Sequence, residues 1–227
     1  MIKSLSALRD LRLERGHSFL ASLVTPGGLV IDAGAHLCEF ANAMAEKYGV
    51  SVISLEPNEA LSPDYIDPRV TLLRAALAAG DGEAVFAIDD NPEASRIIQG
   101  EGSEVVTGKP VQTRSLASLL GEFDATEVQL LKLDVEGAEY EVLLQAPRDI
   151  FARFKQISVE FHPFDARHPA DLARIRAVID RMRELGFDGV RCSFRGFGDY
   201  LFVNSLYPAA VNRAFFPVAR KFLERRT

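Results

Sequence analysis

The sequence predicts an α/β fold, a doubly wound, mainly parallel seven-stranded sheet that ends in an antiparallel hairpin. Three observations carry this expectation. Short apolar runs of strand length alternate with amphipathic helical stretches along the chain. The residues just after those runs, Asp32 to His36, Glu56, Ala75 and Ala76, Asp134 to Glu136 and Glu160 to His162, are together far more polar than the runs themselves. The last two apolar runs flank a glycine-containing turn. At 227 residues the chain fits one domain and leaves no room for a second large one.

Residues 1 to roughly 25 read as a helix, with Leu5, Leu8, Leu11 and Leu13 among arginines, stopped by Thr25-Pro26-Gly27-Gly28. Leu29 to Ala33 is a strand, and Phe40, Met44 and Tyr48 at four-residue spacing give the following helix one buried face. Ser51 to Leu55 and Val70 to Leu73 are strands separated by a loop from Pro57 to Pro68. Glu83 to Ile88, Glu104 to Thr107 and Lys109 to Thr113 read as weaker strands, and Ser115 to Leu120 as a short helix. Val128 to Leu133 is a buried strand followed by a helix with Ala138, Val142, Leu143 and Ala146 on one side. Gln156 to Phe161 is a strand and Asp171 to Leu185 a long helix, and Val190 to Phe194 pairs with Tyr200 to Val203. The expected organisation is an N-terminal helical extension over 1–26, a main domain over 27–204 and a basic amphipathic tail over 205–227.

A net charge of −6 argues against general nucleic-acid binding, which needs a basic surface for phosphates. Cys38 and Cys192 stand far apart with no zinc-like spacing, so neither a disulfide framework nor a structural metal is expected and no residue is assigned as a metal ligand. With no apolar run of membrane-spanning length and no cleavable leader pattern, the expectation is a soluble, cytoplasmic protein without a transmembrane segment. The exposed faces do not specify an oligomer.

Ligands of parallel sheets bind beyond the carboxyl ends of the strands. At the first such end, Asp32-Ala33-Gly34-Ala35-His36 puts an acid before a single glycine, which lets the backbone approach a ligand. Glu56 ends the second strand 22 residues beyond Gly34, where a carboxylate can accept both hydroxyls of a ribose. Two acids suit a cofactor carrying sulfonium and ammonium charges better than a pyrophosphate, so S-adenosyl-L-methionine fits better than NAD. The alternatives are an NAD-dependent oxidoreductase, disfavoured by the missing Gly-x-Gly-x-x-Gly, and a non-catalytic binding protein on the same fold.

Leu131 to Glu139 (Leu-Lys-Leu-Asp-Val-Glu-Gly-Ala-Glu), with Glu56-Pro57-Asn58 and Val159-Glu160-Phe161-His162, resembles the FkbM family of methyltransferases over roughly residues 27–204. The resemblance implies the class I, Rossmann-like methyltransferase fold and S-adenosyl-L-methionine-dependent methylation of hydroxyl groups on sugars, glycolipids or natural products. It also implies cofactor contacts from Asp32, Ala33, Gly34, Ala35 and His36 on the methionine part, Glu56 on the ribose, and Pro57, Asn58, Ala75 and Ala76 around the adenine. Asp134 then lies beside the transferring methyl. The family pattern carries Asn and Gly where this chain has His36 and Cys38. A side chain at Cys38 is expected to narrow the space for the methionine carboxylate.

Methyl transfer to an alcohol needs an aligned acceptor and a place for its proton. The expected catalytic residues are Asp134, His162 as base, and Glu160 positioning the base or the acceptor. Glu136, joining Asp134 and Glu160, offers an alternative in which a divalent metal such as magnesium lowers the pKa of the hydroxyl. The cysteines are expected to be inert, and Lys132 carries no assigned role.

Overall fold

The structure, a computed structural model, describes residues 10–87, 96–97, 108–162, 169–193 and 198–207. The strands of the main sheet are β3 (Leu29–Ala33), β4 (Ser51–Leu55), β5 (Val70–Leu73), β10 (Leu130–Leu133), β11 (Gln156–Val159), β12 (Phe187–Arg191) and β13 (Tyr200–Asn204). Their order is β12-β13-β11-β10-β3-β4-β5, seven strands, with β13 antiparallel to both β11 and β12 and the rest parallel. The expected sheet and its terminal hairpin are both present, but the hairpin's first strand is Phe187–Arg191, earlier than the expected Val190 to Phe194, of which Phe194 lies outside the described residues.

Side chains alternate across each strand, which divides the core into two layers. Ile31, Ala33, Leu131, Leu133, Ile157 and Val159 face the helices α2 (Leu116–Glu122), α3 (Glu139–Gln145), α4 (Arg148–Phe151) and α5 (Pro169–Glu184). Val30, Val52, Val70 and Leu130 face the other way, onto Phe40, Ala41, Met44 and Ala45 of α1 (Glu39–Tyr48). Helices on both faces force ligand access to the strand ends, where the chain turns from strand to helix.

Residues 10–24 do not form the expected helix. They form an antiparallel hairpin of β1 (Leu11–Glu14) and β2 (His17–Leu20), followed by a 3-10 turn at Ala21–Leu23. The reason is local: Arg15 and Gly16 take φ of 47° and 88°, the two-residue left-handed turn that closes a hairpin, and a helix cannot contain it. Every residue of β2 is buried. Residues 1–9 of that expected helix lie outside the described residues.

A second sheet, β6-β9-β7-β8, consists of β6 (Ala76–Leu77), β7 (Gly82–Ala87), β8 (Arg96–Ile97) and β9 (Gly108–Arg114). It contains two of the weaker strands expected there, while Glu104 to Thr107 lies outside the described residues. Ser115 caps α2 by accepting a hydrogen bond from the Ser118 backbone N–H. Of the tail, only Ser205 to Tyr207 is described. Among the described residues no helix is long and apolar enough to cross a membrane.

Candidate active site

The carboxyl ends of β3, β4, β10 and β11 open onto one cavity of about 330 Å³, at the low end of the range for small-molecule sites. Gly34, His36 and Glu56 form its middle, and Pro57, Leu61, Ala76, Leu77 and Phe86 form an apolar wall. Asp134, Val135, Glu136, Glu160 and His162 form the opposite, acidic end. Of the residues expected around a cofactor, Gly34, His36, Glu56, Pro57, Ala76 and Asp134 therefore meet at the cavity. Asp32, Ala33, Ala35, Asn58 and Ala75 are buried beside it.

The turn after β3 is built by Glu56. Its Oε2 accepts the His36 N–H at 2.8 Å and its Oε1 the Asn58 N–H at 2.8 Å, so one carboxylate ties the first two strand-end loops together. Burial pushes the Glu56 pKa up. The Asn58 side chain accepts from the Ala60 N–H at 3.1 Å, closing a local turn. Gly34 (φ 78°) is required for a reason other than ligand space: an added Cβ would lie 1.7 Å from the Asp134 carbonyl oxygen.

Cys38 corrects another expectation. Its φ is 57°, and its side chain is fully buried in the layer with Phe19, Val30 and Phe40 instead of lining the cavity. Burial raises its thiol to about 11 and that of Cys192 to about 12. Neither thiol is a nucleophile at neutral pH.

At the acidic end, the organising residue is Lys132, which sits inside β10 and is 4% exposed. Its Nζ donates to the Gly34 carbonyl at 2.5 Å and lies 3.2 Å from Asp32 Oδ1 and 3.3 Å from Asp134 Oδ2. Burial opposes its charge, but Asp32 and Asp134 outweigh that and hold its pKa up. Asp134 is also penalised by burial, yet hydrogen bonding to His17 and the charge of Lys132 hold its carboxyl well below the usual range.

His162 faces this carboxylate. Its Nε2 is 3.5 Å from Asp134 Oδ1 and 3.7 Å from Glu136 Oε2, and its Nδ1 is 3.4 Å from Glu139 Oε1. Glu139 is fully buried and accepts the His162 backbone N–H at 2.7 Å and the Gly137 N–H at 2.8 Å. Three acids, Asp134, Glu136 and Glu139, thus surround the imidazole, and Glu139 had not been assigned a part from sequence. Burial disfavours the imidazolium, but Glu139, Glu136 and Asp134 together raise the His162 pKa to about 9. Burial pushes the carboxyls of Glu136 and Glu160 up.

The carboxylate trio Asp134, Glu136 and Glu160, expected as an alternative metal set, is not drawn to one point. Two groups that each include a histidine are: Asp134 with Glu136 and His162, and Asp134 with His17 and Glu160, each with ligand atoms within 4.8 Å of one another.

Lys132, Glu139 and His17 were not assigned roles from sequence. Lys132 had a visible signal, a charge inside an otherwise apolar strand, and Glu139 another, an acid at the start of a helix with an apolar face. His17 was hidden by the helical reading of its segment.

The fold is similar to that of a precorrin-6y C5,15-methyltransferase from Geobacter metallireducens (12% identity, TM-score 0.43, 82% of this chain and 85% of that one). It is also similar to a TehB-like SAM-dependent methyltransferase from Corynebacterium glutamicum (11% identity, TM-score 0.41, 82% and 86%). A curated relative, AMB antimetabolite synthetase AmbE of Pseudomonas aeruginosa, is 37% identical over 75 residues, a stretch that is 33% of this chain and 3% of that protein's length. The model of the methyltransferase FkbM domain matches residues 32–188, more than half of the chain. The chain therefore belongs to the FkbM methyltransferase family, for which S-adenosyl-L-methionine is the implied methyl donor.

Proposed function

We propose that this domain transfers a methyl group from S-adenosyl-L-methionine to a hydroxyl oxygen of a sugar, glycolipid or natural product. The observation that carries the reading is the division of one cavity into the Glu56 carboxylate, an apolar wall and an acidic end with a histidine. That chemistry fits the donor. Each Glu56 oxygen accepts one backbone N–H and retains a lone pair for a ribose hydroxyl. Pro57 and Ala76, with Leu61, Leu77 and Phe86, offer an apolar face to adenine, and the buried Asn58 and Ala75 are their chain neighbours. The turn Asp32-Ala33-Gly34-Ala35-His36 takes the methionine part, with Asp32 acting through Lys132. When bound, the donor supplies a methyl group on positively charged sulfur, already activated for displacement.

Three residues then act on the acceptor. Asp134, its carboxyl ionised, faces the reacting end and favours positive charge there. Glu160 accepts a hydrogen bond from the acceptor and orients it. His162 takes the hydroxyl proton at Nε2, its ring held by Glu139. Because the neighbouring acids keep His162 protonated up to about pH 9, this base operates on the alkaline side of neutrality. Side-chain carboxylates at the acceptor end suit a polyhydroxylated acceptor, and the stretch shared with an antimetabolite synthetase supports a natural product.

A second reading follows from the convergence of Asp134, Glu136 and His162. A divalent cation held there would lower the hydroxyl pKa directly, with no need for His162 as base. Activity abolished by EDTA and restored by magnesium would favour it, and activity indifferent to EDTA would remove it.

The test is methyl transfer from methyl-labelled S-adenosyl-L-methionine to a panel of sugar, glycolipid and polyketide alcohols, with the new bond identified by NMR. An O-methyl product, lost by about 10²-fold in Asp134→Asn, is expected. Label on nitrogen or carbon, or on no alcohol, would contradict it.

A further inference from the structure

His17 lies before the residues that the family model matches, 32–188, yet its side chain reaches Asp134. It is 2% exposed, its Nε2 stands 3.5 Å from Asp134 Oδ2, and its ring meets Phe40 edge-on at 5.8 Å. The other ring nitrogen, Nδ1, is buried with no hydrogen-bond partner among the described residues. A protonated Nδ1 would leave a buried N–H unsatisfied, so the tautomer that fits carries its proton on Nε2, facing Asp134.

The hairpin that brings His17 here is fastened to the sheet by polar bonds as well as by packing. The Ser18 N–H donates to Asp199 Oδ1 at 3.2 Å. The Leu20 N–H donates to Gln156 Oε1 at 2.8 Å, and Gln156 Nε2 donates back to the Leu20 carbonyl at 3.1 Å. The side chain of His17 is therefore carried by a segment with fixed register against β11 and β13.

Two cationic or donor groups now meet one oxygen of Asp134. Lys132 Nζ at 3.3 Å and His17 Nε2 at 3.5 Å both lie on Oδ2, while Oδ1 faces His162 across the cavity. We propose that His17 is a positioning residue of the methyltransferase site: with Lys132 it anchors Asp134 Oδ2, so that Oδ1 is presented to the acceptor and to His162. The catalytic unit then includes the β1–β2 hairpin, which precedes the matched residues 32–188. This rests on the reading of Asp134 as the residue beside the transferring methyl.

Three proteins test it: wild type, His17→Leu, which fills the volume without a donor, and His17→Gln, whose amide N–H can take the place of Nε2–H. With an alcohol that the wild type methylates, His17→Leu is expected to lose about 10- to 100-fold in kcat, with S-adenosylhomocysteine affinity kept and His17→Gln recovering most of the rate. Wild-type kcat in His17→Leu, or equal losses in two folded variants, would overturn the proposal.

The wild-type protein supplies a readout that needs neither an acceptor nor a variant at His17. Its imidazole nitrogen resonances should show the Nε2–H tautomer and should shift in Asp134→Asn, whereas the Nδ1–H tautomer or an unresponsive ring would overturn the proposal. Wild type that methylates no alcohol contradicts the O-methyl reading, and these resonances then decide the role of His17 by themselves.

Discussion

At the scale of single residues, the site owes its shape to backbone positions as much as to charged groups. Gly34→Ala would drive a methyl into the Asp134 carbonyl in a left-handed backbone, so a loss of about 3 kcal/mol or more is expected in denaturant unfolding. Cys38 shows the opposite balance. Cys38→Gly relieves a left-handed non-glycine residue but empties a small buried space, two effects of about 1 kcal/mol each that oppose one another. Because that side chain faces the core, S-adenosylhomocysteine affinity in Cys38→Gly should stay within about twofold of wild type, as titration calorimetry would show. His162 carries a pH signature of definite sign. Its pKa is raised from 6.5 to about 9, so its pairing with Glu139, Glu136 and Asp134 stabilises the fold fully below pH 6.5 and is lost as pH rises through about 9. If His162 is the base, kcat/KM rises over the same interval and levels above about 9, and His162→Gln flattens that limb.

At the scale of elements, the strands were legible where short runs rich in apolar and β-branched residues stand between turn-forming segments. Leu29–Ala33, Ser51–Leu55 and Val70–Leu73 lie where the pattern places them. Edges shifted where pairing, which the pattern does not contain, decides them: β10 begins at Leu130, two residues after Val128, and β11 ends at Val159, before Glu160 and Phe161. The N-terminal hairpin was misread because leucines at mixed spacing satisfy a helical pattern as readily as a strand's, and the Arg15-Gly16 turn is a two-residue signal. What holds that hairpin down is equally nonlocal. Gln156 in β11 satisfies both backbone groups of Leu20, 136 residues away in sequence. Gln156→Leu should therefore cost about 2–4 kcal/mol by leaving a buried N–H and C=O unpaired, and amide exchange should quicken first in β2.

At the scale of the whole molecule, two helix-covered faces leave the strand ends as the place for ligand chemistry, and the sheet order puts β10 and β3 at its centre. That is why Glu56, Asp134, Glu160 and His162, read from strand ends alone, line one cavity. Lys132, Glu139 and His17 were not legible, because their parts depend on which atoms meet after folding: a strand-interior ammonium turned toward Asp32 and Asp134, a buried acid beside an imidazole, and a hairpin docked from before the matched residues. The central claim is that this single cavity binds an adenosyl sulfonium cofactor through Glu56. Calorimetric titration of the wild type and Glu56→Gln with S-adenosylhomocysteine and, separately, NAD tests it most directly. Binding of S-adenosylhomocysteine alone, weakened about 10- to 100-fold in Glu56→Gln by loss of a charge-assisted hydrogen bond, is the predicted result. Binding of NAD, or S-adenosylhomocysteine affinity indifferent to Glu56, would contradict it.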